Sequence, residues 1–82
     1  MDPSARTRLR AGITRILAAR GDHAPFTDED SLFASGRLDS LAATEVIVLL
    51  ESEFALDLAD ADFDVSALDS LVSLSALIDR HA

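Results

Sequence analysis

The chain has 82 residues, with 15 acidic side chains against 7 basic ones, a formal net charge of −8, and no cysteine. That length holds one domain, spanning residues 1–82, and a domain of this size buries only about 60–65% of the surface its unfolded chain exposes, which argues against a large substrate cleft. The missing cysteine excludes disulfides, thiolate metal sites and a cysteine nucleophile together.

The first predicted helix runs from about Ser4 to Arg20. Pro3 and Ser4 supply a start signal, and Leu9, Ile13, Ile16 and Leu17 fall at i, i+4, i+7 and i+8, on one helix face. Five of the seven arginines, Arg6, Arg8, Arg10, Arg15 and Arg20, lie in the first twenty residues against a single aspartate, a net +4. The remaining sixty-two residues carry two arginines against fourteen acids, a net −12. Such a surface repels phosphate backbones and anionic lipid and steers basic protein patches toward itself. Nucleic-acid binding is therefore not expected, because the arginines of the first helix lack interleaved aromatics and face a strongly acidic body. Insertion into a membrane is not expected either: the richest apolar run, Val46 to Leu50, is far shorter than the ~20 residues that span a bilayer. Met1-Asp2-Pro3-Ser4 has no apolar signal region, and the expected location is cytoplasmic.

Gly21 ends the first helix, and a long connection follows to Leu38, rich in Asp, Thr, Ser and Gly, with Phe26, Leu32 and Phe33 as its bulky apolar residues. Loops beyond about 12–15 residues are usually functional or pinned by their own side chains. Leu32 and Phe33 are the expected pins.

The second helix is predicted from Asp39 or Ser40 to Phe54 or Ala55, with Asp39 as N-cap, its carboxylate at the positive end of the helix dipole. At 100° per residue Ala43, Val46, Ile47, Leu50 and Phe54 share the core side. The opposite side collects Leu41, Thr44, Val48 and Ala55, flanked by Glu45, Glu51 and Ser52. An apolar stripe with an acidic rim is a usual composition for a protein contact surface, although single exposed Leu and Val residues are also ordinary. A short third element is expected over Ala59 to Phe63. The last helix is expected from Ser66 or Asp69 to Arg80, with Leu68, Leu71, Leu74, Leu77 and Ile78 as its apolar stripe and Ser66-Ala67-Leu68-Asp69 resembling a capping box. The economical assembly is an all-α four-helix bundle, three main helices and one short one with a long first loop.

Leu32-Phe33, then Gly36-Arg37-Leu38-Asp39-Ser40-Leu41, Glu45-Val46 and Leu50-Glu51-Ser52-Glu53-Phe54 together resemble the phosphopantetheine attachment region of acyl and peptidyl carrier proteins. Helix order, the long first loop and the acidic second helix extend the resemblance from about Leu9 to Ile78. It implies that Ser40 is the covalent attachment point for 4′-phosphopantetheine, delivered from coenzyme A by a phosphopantetheinyl transferase, and that Asp39 caps the helix and helps present the serine. It also implies that Leu41, Thr44, Glu45, Val48 and Glu51 dock partner enzymes. Such a protein has no catalytic residue of its own and is a substrate of enzymes with basic docking surfaces, either adenylating ligases or acyltransferases. The missing cysteine fits, since the working thiol arrives with the prosthetic group. A monomer is expected.

Asp69-Ser70-Leu71 repeats the tripeptide, but it falls in the last helix without a glycine-bearing loop before it, so Ser40 is preferred over Ser70. His23 and His81 lack ligand spacing and read as solvated, and a triad with Ser40 has no orienting shell in this sequence. Asp28-Glu29-Asp30 reads as a solvated acidic face, and so do Asp57, Asp60, Asp62 and Asp64, which lack the glycine and terminal glutamate of a calcium loop. No metal is expected. The Gly36-Arg37-Leu38-Asp39-Ser40 spacing, with Phe63-Asp64 and then Asp69-Ser70, looks like D-alanyl and freestanding aminoacyl or peptidyl carriers, although Leu41 stands where D-alanyl carriers usually have Met. The expected function is thus a discrete carrier of an aminoacyl or small acyl group. The alternatives are an acyl carrier of polyketide or fatty-acid synthesis and, from another class, an unmodified acidic helical adaptor.

Overall fold

In the computed structural model, which describes residues 2–58 and 65–81, the first helix, α1, spans Pro3–Ala19. Asp2 caps it, Oδ1 accepting the Ala5 amide at 2.7 Å, and Pro3 occupies the first helical position, where no amide is needed. The cap is therefore one residue before the Pro3-Ser4 signal. At the other end the Gly21 amide reaches the Ala18 carbonyl at 2.9 Å and the Asp22 amide the Leu17 carbonyl at 3.0 Å. Gly21 sits at φ +81°, the left-handed geometry of this pair of closing bonds. Leu9, Ile13 and Leu17 are buried as the periodicity requires, with Ile16 packed at the core's edge.

The second helix, α2, spans Ser40–Phe54, and the third, α3, spans Leu71–His81. A single-turn 3-10 helix, Val65–Leu68, precedes α3. Helix α1 packs against both α2 and α3, while the 3-10 turn contacts α2 and α3. No strand occurs among the described residues, so the architecture is all-helical. The expected short helix over Ala59 to Phe63 lies outside the described residues.

Two expectations about the last helix need correction. The last helix does not start at Ser66 or Asp69, and Ser66-Ala67-Leu68-Asp69 is not its capping box. The chain makes a separate 3-10 turn there, and α3 is capped by Ser70, whose Oγ accepts the Ser73 amide at 3.1 Å. The Leu68, Leu71, Leu74, Leu77 and Ile78 stripe is nonetheless buried in full.

On α2 the buried residues are Ala42, Ala43, Val46, Leu49 and Leu50, whereas Ile47 and Phe54 are only partly covered. The inward direction is thus turned by about 60° from the one the pattern suggested. Gly12 explains the turn: a Cβ there would stand 2.6 and 2.7 Å from the two Leu49 Cδ atoms, so α1 offers Leu49 a notch that no larger residue leaves open. The outward residues remain outward, with Leu41 70% and Val48 56% exposed.

Candidate functional site at the head of helix α2

The approach to Ser40 is set by the long loop, which is held by its two apolar pins and by polar side chains whose partners lie far off in the chain. Leu32 is fully buried and Phe33 partly so, as expected of the two pins. Asp69 grips the segment from the other side. Its Oδ1 accepts the amides of Phe33 at 2.8 Å and Ala34 at 3.1 Å, Oδ2 accepts the Ser31 hydroxyl, and its backbone carbonyl accepts the Leu32 amide at 2.7 Å. The Ser31 hydroxyl, together with the Ala34 and Phe33 amides, holds the Asp69 carboxyl below the usual carboxylate range against the opposing effect of burial.

Upstream, Phe26 lies between two arginines, with the Arg10 and Arg37 guanidinium carbons 4.7 and 5.9 Å from its ring centroid. Arg37 donates from Nε to Asp22 Oδ2 at 2.8 Å and from Nη2 to Asp22 Oδ1 at 3.1 Å, and Nη2 also reaches the Ala24 carbonyl at 2.7 Å. This fork holds the Asp22 carboxyl below its ordinary value. Arg10 bonds the Phe26 carbonyl at 2.8 Å and pairs with Asp28. Arginine forks therefore tie the loop down where apolar residues are few.

The chain then turns at Gly36, φ +85°, where the Gly36 amide meets the Phe33 carbonyl at 3.0 Å. The Leu38 amide returns to the Leu32 carbonyl at 2.8 Å, and Leu38 itself is buried. Asp39 follows in extended geometry and caps α2, with Oδ1 accepting the Ala42 amide at 3.0 Å. Its second oxygen, Oδ2, takes Nη2 of Arg20 at 2.6 Å. The Arg20 contact, then the Ala42 amide, keeps the Asp39 carboxyl below the ordinary range, and the same contact raises the Arg20 guanidinium further.

Ser40 occupies the first position of α2 and is exposed. Leu41, Thr44, Glu45, Val48 and Glu51 are all exposed on the outward face running from it, with Ser52 and Ala55 farther along. Ser70 has a different setting: it is 9% exposed, and its hydroxyl both accepts the Ser73 amide and donates to Ser73 Oγ at 3.1 Å. The two Asp-Ser-Leu tripeptides are thus used differently, one presenting its serine and the other spending it on a cap. His23 is exposed in the first loop, and Asp60, Asp62 and Asp64 lie outside the described residues. No described helix is long and apolar enough to cross a membrane.

Sequence reasoning missed Arg20, Arg37 and Asp69 because each acts through a partner distant in the chain. The available signal was the strong excess of arginine in the first helix, which had to be balanced somewhere in an acidic body.

An exposed hydroxyl at a capped helix start, with no neighbouring side chain bonded to it among the described residues, can accept a bulky substituent without displacing any contact. Comparisons with known proteins give the family of the whole domain. Residues 7–78 match the family model described as the phosphopantetheine attachment site. The chain is also 41% identical over 59 residues to the lincomycin biosynthesis protein LmbN of Streptomyces lincolnensis, a match covering 67% of this chain but only 22% of that protein's length. No solved structure matched. With the family model covering both Asp-Ser-Leu segments and all three α-helices but for their outermost residues, the chain belongs to the phosphopantetheine-binding carrier family, whose prosthetic group is covalently attached 4′-phosphopantetheine.

Proposed function

We propose that Ser40 is the attachment residue and that the domain carries an aminoacyl or small acyl group between partner enzymes without catalysing a reaction itself. The observation that carries this reading is the contrast between the exposed Ser40 and the buried, doubly hydrogen-bonded Ser70. In the transfer step Ser40 Oγ forms a bond to the pantetheine-side phosphorus of coenzyme A as the pyrophosphate P–O bond breaks. Adenosine 3′,5′-bisphosphate leaves, and the hydroxyl proton passes to a base of the transferase. Once attached, the group supplies a thiol on which cargo is held as a thioester. Asp39 fixes the first turn of α2 through the Ala42 amide, so the hydroxyl is presented from a rigid support.

The outward stripe of Leu41, Thr44 and Val48, edged by Glu45 and Glu51, is the proposed docking face for the transferase and for ligases or acyltransferases with basic surfaces. The aminoacyl cargo rests on the Gly-x-Leu-Asp-Ser spacing, and the likeness to a lincomycin biosynthesis protein supports a role in small-molecule biosynthesis. We propose a cytoplasmic monomer for this role.

The test is direct. Incubation with coenzyme A and a broad-specificity phosphopantetheinyl transferase should add one phosphopantetheine by intact-protein mass spectrometry, retained in Ser70→Ala and lost in Ser40→Ala. No addition, or an addition that persists in Ser40→Ala, refutes the assignment. Loading by an aminoacyl-adenylating enzyme in preference to an acyltransferase supports the aminoacyl cargo, and the reverse supports a polyketide or fatty-acid carrier.

A further inference from the structure

Of the five arginines that α1 and its C-cap carry, Arg8 and Arg10 are engaged away from the head of α2. Arg8 lies over the Phe54 ring, 5.1 Å from its centroid, and reaches the Glu53 carbonyl, while Arg10 holds the first loop. Arg20 is the one delivered to the residue before Ser40. It stands at the C-cap of α1, its side chain 29% exposed, and crosses to Asp39 Oδ2 at 2.6 Å. Asp39 divides its two oxygens, Oδ1 to the Ala42 amide and Oδ2 to Arg20. The head of α2 therefore holds one carboxylate paired with one guanidinium, next in the chain to an exposed hydroxyl.

A phosphodiester on Ser40 brings one more negative charge to this spot, next in the chain to the Asp39 carboxylate. Like charges so close need a shared cation or must separate. A guanidinium presents five donors in a planar fork, and among the described residues the Asp39 contact engages only Nη2. We propose that Arg20 is the counter-ion of the phosphodiester on Ser40, shared with Asp39, so that loading the carrier tightens the junction between the end of α1 and the start of α2 and restricts the root of the arm. This rests on the assignment of Ser40 as the attachment residue. Arg20 is a positioning residue in this arrangement, since it touches the phosphate and not the cargo. A lysine would supply charge without the fork and would bridge the two anions less well.

The experiment compares uniformly 15N-labelled protein before and after loading with coenzyme A and the transferase, the adduct first located by mass spectrometry in wild type and Ser40→Ala. On loading, the Arg20 Nε–Hε resonance is expected to shift and to exchange more slowly with solvent, while that of Arg37, bound in the first loop, stays in place. In the loaded Arg20→Gln variant the 31P resonance of the phosphodiester is expected to move, and Arg20→Lys should return it part of the way. An Arg20 Nε–Hε signal indifferent to loading, or a 31P resonance identical in wild type and Arg20→Gln, overturns the proposal while leaving Ser40 as the attachment residue. An adduct that persists in Ser40→Ala, or none at all, overturns both. The wild-type spectra alone decide the matter should a substitution at Arg20 disturb the fold.

Discussion

Replacing Asp69 by alanine removes three hydrogen bonds at once and should be far more damaging than the trimming of one half-buried side chain suggests. Its carboxylate accepts from Ser31 Oγ and from the amides of Phe33 and Ala34. Hydrogen bonds to a charged acceptor contribute about 1.5–3 kcal/mol each when sheltered. Ala34 is exposed and Ser31 only partly covered, so water replaces part of that loss and about 1 kcal/mol per bond is the better figure, or roughly 3 kcal/mol in all. A chain of this length has a total stability of about 4–12 kcal/mol. With a urea dependence of about 1 kcal/mol per molar for so small a domain, the midpoint should fall by about 3 M.

Circular dichroism during urea titration at pH 7 measures that midpoint, and amide hydrogen exchange at Phe33 and Ala34 locates the loss. Asp69→Asn retains one acceptor oxygen without the charge and should lose about half as much. Ser70→Ala, which removes the α3 cap and the bond to Ser73 Oγ, should cost about 1 kcal/mol and serves as a scale. A shift below about 0.5 M for Asp69→Ala, or unchanged exchange at Phe33, would falsify the view that this carboxylate holds the loop. The loss should also be felt at the site, because the Leu38 amide is bonded to the Leu32 carbonyl and Leu38 leads directly into Asp39 and Ser40. Slower loading of an otherwise helical Asp69→Asn protein is the expected sign.

Acid should weaken the fold through Asp22, Asp30, Asp39 and Asp69, all held below the ordinary carboxylate range. Each binds a proton less readily folded than unfolded, so this stabilisation is complete above about pH 4 and is lost as the pH falls below it; a chain more stable at pH 3 than at pH 5 contradicts the assignment. Gly12→Val should cost about 1–3 kcal/mol by crowding Leu49, with much of the loss recovered when Leu49→Ala is added, and purely additive effects in that pair would dismiss the close contact. Ala55 closes α2 at φ +56°, where a side chain costs about 1–2 kcal/mol and glycine's greater unfolded entropy offsets about 0.5–1 of any relief. Ala55→Gly should accordingly raise the melting temperature by about 2–4 °C, and a fall would show that the backbone there is not left-handed. Val48→Asp, on a side chain 56% exposed, should leave helicity intact while slowing cargo transfer with partner enzymes; unchanged kinetics would remove this face from the docking surface.

Local pattern and distant packing divide what could be read before the structure was known. The stripes of α1 and α3 were legible because each residue's neighbours three and four positions away decide its face. The inward face of α2 was misplaced by about 60° because that helix is apolar on more than one side, leaving its rotation to a notch at Gly12 that the α2 sequence does not contain. The outward set of Leu41, Thr44, Glu45, Val48 and Glu51 survived the error because it lies opposite the corrected direction as well as the expected one.

The long-range polar contacts were illegible for another reason. Arg20 and Asp39 are 19 residues apart, Arg37 and Asp22 are 15 apart, and Ser31 and Asp69 are 38 apart, with several acids available to each cation. Those distant contacts are also what separates the two Asp-Ser-Leu tripeptides. Asp39 turns one oxygen on its own helix and the other on Arg20, which leaves Ser40 unneeded for capping and free in solvent. Asp69 turns both oxygens on the loop, so the start of α3 must be capped by the next residue, and Ser70 is withdrawn from solvent to do it. The same three residues thus yield a presented hydroxyl or a buried one according to what the aspartate meets.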